Sequence, residues 1–226
     1  MSRLSPTLLA VGLAAMASCL PAQADAPAAS ASPTPTPTPT VSPISTNRPT
    51  FGTYTGVVGP RMFQVESGVS EETFKGGGTS LFQVVTQFRY GTGNNTEIAF
   101  TNPLVNVQGG NAGIGDSSVY LKWDVGHYRM PAGTSVIAVI PTLTIPTGAA
   151  AFRNAGDIGE VIISNDIPTG KNGQILGLNV APASAVDPAN GRRFGQFFYS
   201  AGEVIPVGGA TYTWLEIAGF GPDASV

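Results

Sequence analysis

His127 is the only histidine of the chain, and it follows Asp124 by three positions. A histidine beside a carboxylate could serve as the base for a nucleophile, or as one ligand of a zinc ion. Both sites need further groups that converge on the histidine, and the sequence shows no such set. An interfacial or loop histidine is the simpler interpretation, so we predict no catalytic residue, no zinc site and no enzyme.

Several aspartates could supply oxygen ligands to calcium in loops. They lie near glycine or proline, and they are Asp116, Asp157, Asp166, Asp187 and Asp223. Aspartate in turns usually bonds to the local backbone instead. The run Gly113-Ile114-Gly115-Asp116 lacks a following helix, which a nucleotide-binding loop requires. We therefore expect neither a metal nor a cofactor.

Charged residues on strand-like segments form the more informative set. Residues 119–125 read V-Y-L-K-W-D-V, so apolar and polar side chains alternate between two faces of a strand. Neighbouring segments alternate in the same way. In a membrane β-barrel the apolar face meets lipid and the polar face lines a wet lumen. The predicted lumen-lining residues are Glu66, Gln87, Arg89, Glu97, Tyr120, Lys122 and Asp124.

Charges on this polar face should pair with one another, because a desolvated charge without a partner is expensive. We predict that Arg89 pairs with Glu97 on the next strand or with Glu66 on the preceding one. Lys122 should lie among the remaining carboxylates. Such a network could brace the barrel wall or form a constriction that filters solutes by charge.

The elements that position these residues are strands bounded by turn sequences. No window after Ser45 shows helical periodicity, and Val136–Ile140 is apolar on both faces. The predicted fold is all-β: an up-and-down antiparallel meander forming a transmembrane β-barrel, incomplete with about nine strands. The predicted strands are Met62–Ser70, Leu81–Tyr90, Glu97–Thr101, Ser118–Tyr128, Ser135–Ile145, Glu160–Ile167, Gln174–Ala183, Gly195–Ile205 and Ala210–Phe220.

Aromatic residues at or near strand positions also favour a barrel, where they form girdles at the membrane interfaces. They are Tyr90, Trp123, Tyr128, Tyr199, Tyr212 and Trp214. The same residues could instead fill the core of a sandwich. A secreted or lipid-anchored β-sandwich that acts as a binding module therefore remains the alternative.

The N-terminus predicts export. An apolar run from Leu8 to Leu20 precedes Ala22-Gln23-Ala24, a pattern typical of a signal peptide over residues 1–24. Met16-Ala17-Ser18-Cys19 offers lipidation of Cys19 as a competing interpretation. Residues 25–45 are rich in proline, threonine and alanine and predict a disordered tether. The barrel domain would then span residues 46–226.

Composition excludes other classes. Charged residues make up 11% of the chain, against about 25% in ordinary soluble domains, and glycine is frequent with 29 residues. The net charge of −3 and the lack of a Lys/Arg-rich run argue against nucleic acid as a partner. The partner expected for a barrel of this kind is outer-membrane lipid.

Five ordered motifs resemble one bacterial family. They are Thr46–Phe51, Gly59–Gly68, Phe88–Gly91 with Asn95–Ile98, Gly113–Trp123 and Ile145–Gly148. Together they are similar to the MetA-pathway of phenol degradation family, a group of transporter-like outer-membrane β-barrels. The resemblance implies a barrel in the cell outer membrane that passes hydrophobic or aromatic compounds. It departs at Asn47, where the family pattern has Asp, and at Gly221–Val226, where a barrel would end on an aromatic strand; this suggests a truncated chain.

Overall fold

The computed structural model describes residues 8–13, 52–73, 80–170, 173–208 and 211–221. The predicted tether, most of the predicted signal peptide, the first family-like motif and Asp223 lie outside these residues.

The described chain forms one antiparallel sheet. Its strands are Leu8–Leu13 (β1), Phe63–Glu72 (β2), Leu81–Gly93 (β3), Thr96–Gln108 (β4), Asn111–Gly113 (β5), Ser117–Met130 (β6), Gly133–Ile145 (β7), Ile158–Pro168 (β8), Ile175–Val186 (β9), Arg193–Gly208 (β10) and Thr211–Phe220 (β11). The order across the sheet is β1-β11-β10-β9-β8-β7-β6-β4-β3-β2, and β5 pairs with β4 beside this path. The nine long strands from β2 to β11 confirm the all-β meander, and the sheet curls into a half-barrel.

The strands are long, with 10 residues in β2 and 16 in β10. Strands in globular proteins average about 5–6 residues, whereas crossing a bilayer takes about 9–11. Our prediction for the third segment, Glu97–Thr101, is too short because β4 continues through Pro103. Pro103 lies opposite Val85, where the register between β3 and β4 shifts, and such an irregularity tolerates a proline.

The two ends of the half-barrel differ in their connections. At one end, which we call the turn end, Asn94-Asn95 joins β3 to β4 and Pro131-Ala132 joins β6 to β7. Asn94 and Asn95 have φ angles of 51° and 59°, as a tight hairpin turn of type I′ requires. At the other end, the loop end, residues 146–157 include a short 3₁₀-helix, Ala150–Phe152.

The two faces of the sheet are opposite in character. The inner face carries Arg89, Glu97 and Lys122, which are among the largest fully buried side chains of the described residues. The outer face carries exposed Phe88, Trp123 and many other large apolar side chains. This is the reverse of a soluble protein, in which arginine, lysine and glutamate are rarely buried.

Apolar packing occurs on both faces but differs in kind. On the inner face, Ala99, Tyr120, Ala138 and Ile140 form a buried cluster, with Ile162 packed against it. On the outer face, aromatic rings form a ladder across β2, β3 and β4. The centroids of Phe63 and Phe88 lie 6.2 Å apart, and those of Phe88 and Phe100 lie 6.4 Å apart.

Of the six aromatic residues at or near strand positions, five are exposed, and Trp214 is buried on the inner face of β11. Trp214 points inward because it shares the face of Glu216 and Ala218. That the other aromatic residues lie at membrane interfaces stays a prediction.

β1 pairs with β11 through residues of the predicted signal peptide. Cleavage after Ala24, which stays a prediction, would remove β1 from its place beside β11.

Candidate functional site

A buried ion network lies on the inner face of β2, β3 and β4. The guanidinium of Arg89 donates from Nε and Nη2 to the two carboxylate oxygens of Glu97, at 2.9 and 2.7 Å. Its Nη1 donates to Glu66 at 2.5 Å. The prediction that Arg89 pairs with a carboxylate on a neighbouring strand is confirmed, and Arg89 pairs on both sides. Bidentate pairs of this kind are the stronger and more specific ones.

Glu97 is the centre of this network. Lys122 Nζ lies 3.6 Å from Glu97 Oε1, so the expectation that Lys122 lies among the carboxylates is confirmed. The Tyr120 hydroxyl donates to the same oxygen at 3.0 Å. The backbone N–H of Val58 donates to Glu97 Oε2 at 2.7 Å. Four different groups therefore satisfy one buried carboxylate.

Residues Gly52–Val58, which we call the strap, cross the inner face from β11 towards β3. Their backbone N–H groups donate to side chains of the sheet: Gly52 to Glu216 at 2.6 Å, Thr53 to Asn179 at 3.3 Å and Thr55 to Asp166 at 2.9 Å. The Thr55 hydroxyl also donates to Asp166, at 2.7 Å. With Val58 on Glu97, the strap N–H groups engage three carboxylates on three strands.

Side chains of the sheet also bind carbonyl groups of the strap. Lys122 Nζ donates to the carbonyls of Tyr54 and Gly56 at 2.7 and 3.1 Å. Arg89 Nη2 also donates to Gly56, at 2.8 Å, and the Ser164 hydroxyl donates to Thr53 O at 2.6 Å. The sheet thus holds the strap mainly by its main chain, with four N–H groups and three carbonyls bound to side chains of the sheet.

Close approach explains the residue types in the strap. A Cβ at Gly52 would lie within 2.8 Å of side-chain atoms of Asn179, Ser200 and Glu216, so only glycine fits there. The Tyr54 ring covers Gly177, where an added Cβ would lie 3.0 Å away. Burial, together with the carboxylates of Glu216 and Asp166, raises the pKa of the Tyr54 phenol.

The remaining residues predicted to line a lumen also lie on the inner face. Gln87 is 4% exposed and donates from Nε2 to Thr101 Oγ1 at 2.9 Å. Asp124 is paired with His127, whose Nε2 lies 2.8 Å from Asp124 Oδ2. The His127 side chain is 53% exposed, near the turn end. Whether the inner face encloses a lumen stays a prediction.

The aspartates considered as calcium ligands are dispersed. Asp116 accepts from the N–H groups of Gly148 and Asn154, and Asp187 accepts from Ala189 N and Asn190 in its own turn. The sequence suggested that Asp166 lies in a turn beside Pro168. It lies within β8 instead, because that strand continues to Pro168. Within the described residues, no group of three acidic, histidine or cysteine side chains could hold a metal ion.

Sequence reasoning missed the strap. Its residues show no alternation and carry no charge, because its contacts with the sheet come mainly from its backbone. Asn179 and Glu216 were missed for the same reason, and Asp166 was considered only as a possible calcium ligand, since each of the three acts on the strap. The one available signal was a short glycine- and threonine-containing segment directly before the first strand.

Comparison with protein-family models, with curated proteins and with solved structures gives no match for this chain. Within the part of the chain that the structure describes, no helix is long and apolar enough to cross a membrane.

Proposed function

We propose that the chain is a transporter-like β-barrel of the outer membrane that passes small hydrophobic or aromatic molecules. The observation that carries this proposal is the inverted distribution of side chains. Lys122 is fully buried, whereas Trp123, its neighbour in β6, is 54% exposed. An apolar face of this extent needs an apolar partner, and the hydrocarbon of a bilayer is one that covers a curved sheet continuously.

Two further features support a membrane location. The nine long strands have between 10 and 16 residues, which is enough to cross a bilayer with tilt. Tight turns at one end and longer connections at the other are typical of outer-membrane barrels, whose periplasmic turns are short. The turn end would then face the periplasm, and the strap enters the sheet there, directly before β2.

The solute class in this proposal comes from the resemblance to the MetA-pathway of phenol degradation family. The inner face itself offers one apolar region, the cluster of Ala99, Tyr120, Ala138 and Ile140. It lies beside the ion network, because Tyr120 belongs to both. An aromatic solute could contact this cluster while its polar groups meet the charged side chains.

Two experiments test the proposal in sequence. Expression with its own N-terminus should place the chain in the outer-membrane fraction, extractable only with detergent, and its gel mobility should change on heating. Liposomes containing the chain should then admit phenol-class solutes faster than empty liposomes. A water-soluble monomer with unchanged mobility would contradict the proposal and favour the β-sandwich binding module.

A further inference from the structure

The inner face has an imbalance of charge within the described residues. Among the described strand residues, the register places three cations on this face, namely Arg89, Lys122 and Arg129, the last of which is exposed at the turn end. Seven carboxylates share the face with them. These carboxylates are Glu66, Glu72, Glu97, Asp124, Glu160, Asp166 and Glu216. Arg89 and Lys122 both lie near Glu97, and Arg129 lies at the exposed turn end, so the excess of negative charge falls elsewhere on the face.

Strand β8 carries two of these carboxylates without an ion pair among the described residues. Glu160 lies between Thr142 on β7 and Ala183 on β9, and Asp166 lies between Val136 and Gly177. None of these neighbours carries a charge. The field of Lys122 reaches Asp166, but the two do not form an ion pair. Within the described ranges, Asp166 accepts hydrogen bonds from the N–H and the hydroxyl of Thr55 alone.

The inner face also has more hydrogen-bond acceptors than donors. Three buried side-chain oxygens lack a partner within the described residues: Gln87 Oε1, Asp124 Oδ1 and Asp166 Oδ1. All three are acceptors, and no buried side-chain nitrogen there lacks a partner. Gln87, which is 4% exposed, lies opposite Glu66 on the same face. The inner face therefore offers acceptors and requires donors.

We propose that the inner face selects cations over anions, and that Glu160 and Asp166 set this preference. The chemical class that fits is a small cation or an organic ammonium, which brings both positive charge and hydrogen-bond donors. The strap shows how such a ligand would be bound, because its N–H groups donate hydrogen bonds to the carboxylates of Glu216, Asp166 and Glu97. This inference rests on the proposed barrel and defines the charge of what passes through it.

Ion selectivity in a planar bilayer tests the proposal with the full chain. Under a potassium chloride gradient, the reversal potential should show K⁺ favoured over Cl⁻ by roughly tenfold, as expected for a cleft lined by one sign of charge. Glu160→Gln removes one charge and no hydrogen bond of the described residues, and should lower that ratio by roughly threefold. Adding Asp166→Asn should lower it further.

Glu203→Gln is the matched control. Glu203 lies on β10 next to the inward-facing Gly202, and its side chain meets Thr169 at the exposed turn end. The same chemical change there should leave the selectivity unaltered. Equal effects of Glu160→Gln and Glu203→Gln would overturn the assignment to β8.

The outcomes separate this inference from the proposed function. A chain that never inserts, judged by its heat-dependent mobility, contradicts the proposed barrel. A chain that inserts and conducts with no cation preference overturns only this inference. An inserted chain that conducts no ions also overturns only this inference, provided that the Thr55→Val variant, in which the strap is held less firmly, conducts none either.

Discussion

Lys122 and Trp123 are adjacent in β6, yet their side chains lie in opposite surroundings. Lys122 is buried on the inner face among Glu97 and the strap carbonyls, and Trp123 lies exposed on the outer face. Both follow from the two-residue period of a strand. The comparison shows that alternation sorts polar and apolar side chains onto two faces of the sheet. Whether a given face is stable then depends on what surrounds it.

The two faces also differ in how their side chains are satisfied. The charges around Glu97 on the inner face have fixed partners, as in the contacts of Arg89 with Glu66, Glu97 and Gly56. Outer-face side chains such as Phe63, Phe88 and Phe100 contact one another but stay exposed. The inner face is specified by directed polar contacts, and the outer face by hydrophobicity alone.

Arg89→Met should have the largest effect, because it removes the cation between two buried carboxylates. Leaving a buried charge without its partner costs about 3–5 kcal/mol, so we expect a loss of this size in the free energy of unfolding, measured by denaturant titration in detergent. The triple variant Arg89→Met, Glu66→Gln, Glu97→Gln should recover part of the loss. Full stability of Arg89→Met alone would mean that the inner face is well hydrated.

Trp123→Arg tests the outer face. If this face lies in lipid, as we propose, an arginine near the middle of β6 should cost about 2–4 kcal/mol and reduce the yield of inserted protein in liposomes. Trp123→Phe is the control and should insert normally. A water-soluble protein would tolerate arginine at such an exposed position, so normal folding of both variants would contradict the outer-face account.

Thr55→Val tests how the strap is held on the inner face. The variant loses the hydroxyl bond to Asp166 but keeps the backbone bond, so we expect a loss of about 1 kcal/mol in the free energy of unfolding. Thr55→Ser retains the hydroxyl and should stay close to the native stability. A loss as large as that of Arg89→Met would indicate that the strap and the ion network unfold together.

Arg193→Gln should have the smallest effect. Arg193 donates to Asp157 at 2.7 Å in an exposed pair at the loop end, and this hydrogen bond lowers the pKa of the Asp157 carboxyl. A lowered folded-state pKa contributes stability above the unfolded pKa, and that contribution is lost as pH falls through the folded value.

Solvent screens this pair, so unfolding of Arg193→Gln should match that of the native chain at neutral pH. The titration of Asp157, followed by NMR, should shift upward in the variant. An unchanged titration would show that the pair does not form in solution.

Much of the fold could be predicted from the sequence. All nine long strands were expected, because turn residues such as Asn94-Asn95 separate alternating segments. Strand ends were less accurate where a proline lies inside a strand, as Pro103 does in β4. β1 was not expected, since an apolar run near the N-terminus has the pattern of a signal peptide.

Only the part of the site that lies on the strands could be predicted from the sequence. Arg89 lies within one strand of both Glu66 and Glu97, so cross-strand pairing could be inferred from the order of the segments. The contacts of Glu216 and Asp166 with the strap join residues 164 and 111 positions apart. They depend on the backbone path of residues without a side-chain pattern, and no local rule predicts them.

The most direct test of the central claim is where Trp123 lies when the protein is in a bilayer. In a Trp214→Phe variant, Trp123 is the only tryptophan, and its fluorescence reports the surroundings of the outer face. Reconstitution into lipids with brominated acyl chains should quench this emission strongly, because the indole would contact the chains. Emission at the wavelength of water-exposed tryptophan, unaffected by the brominated lipids, would contradict the assignment of the outer face to the membrane.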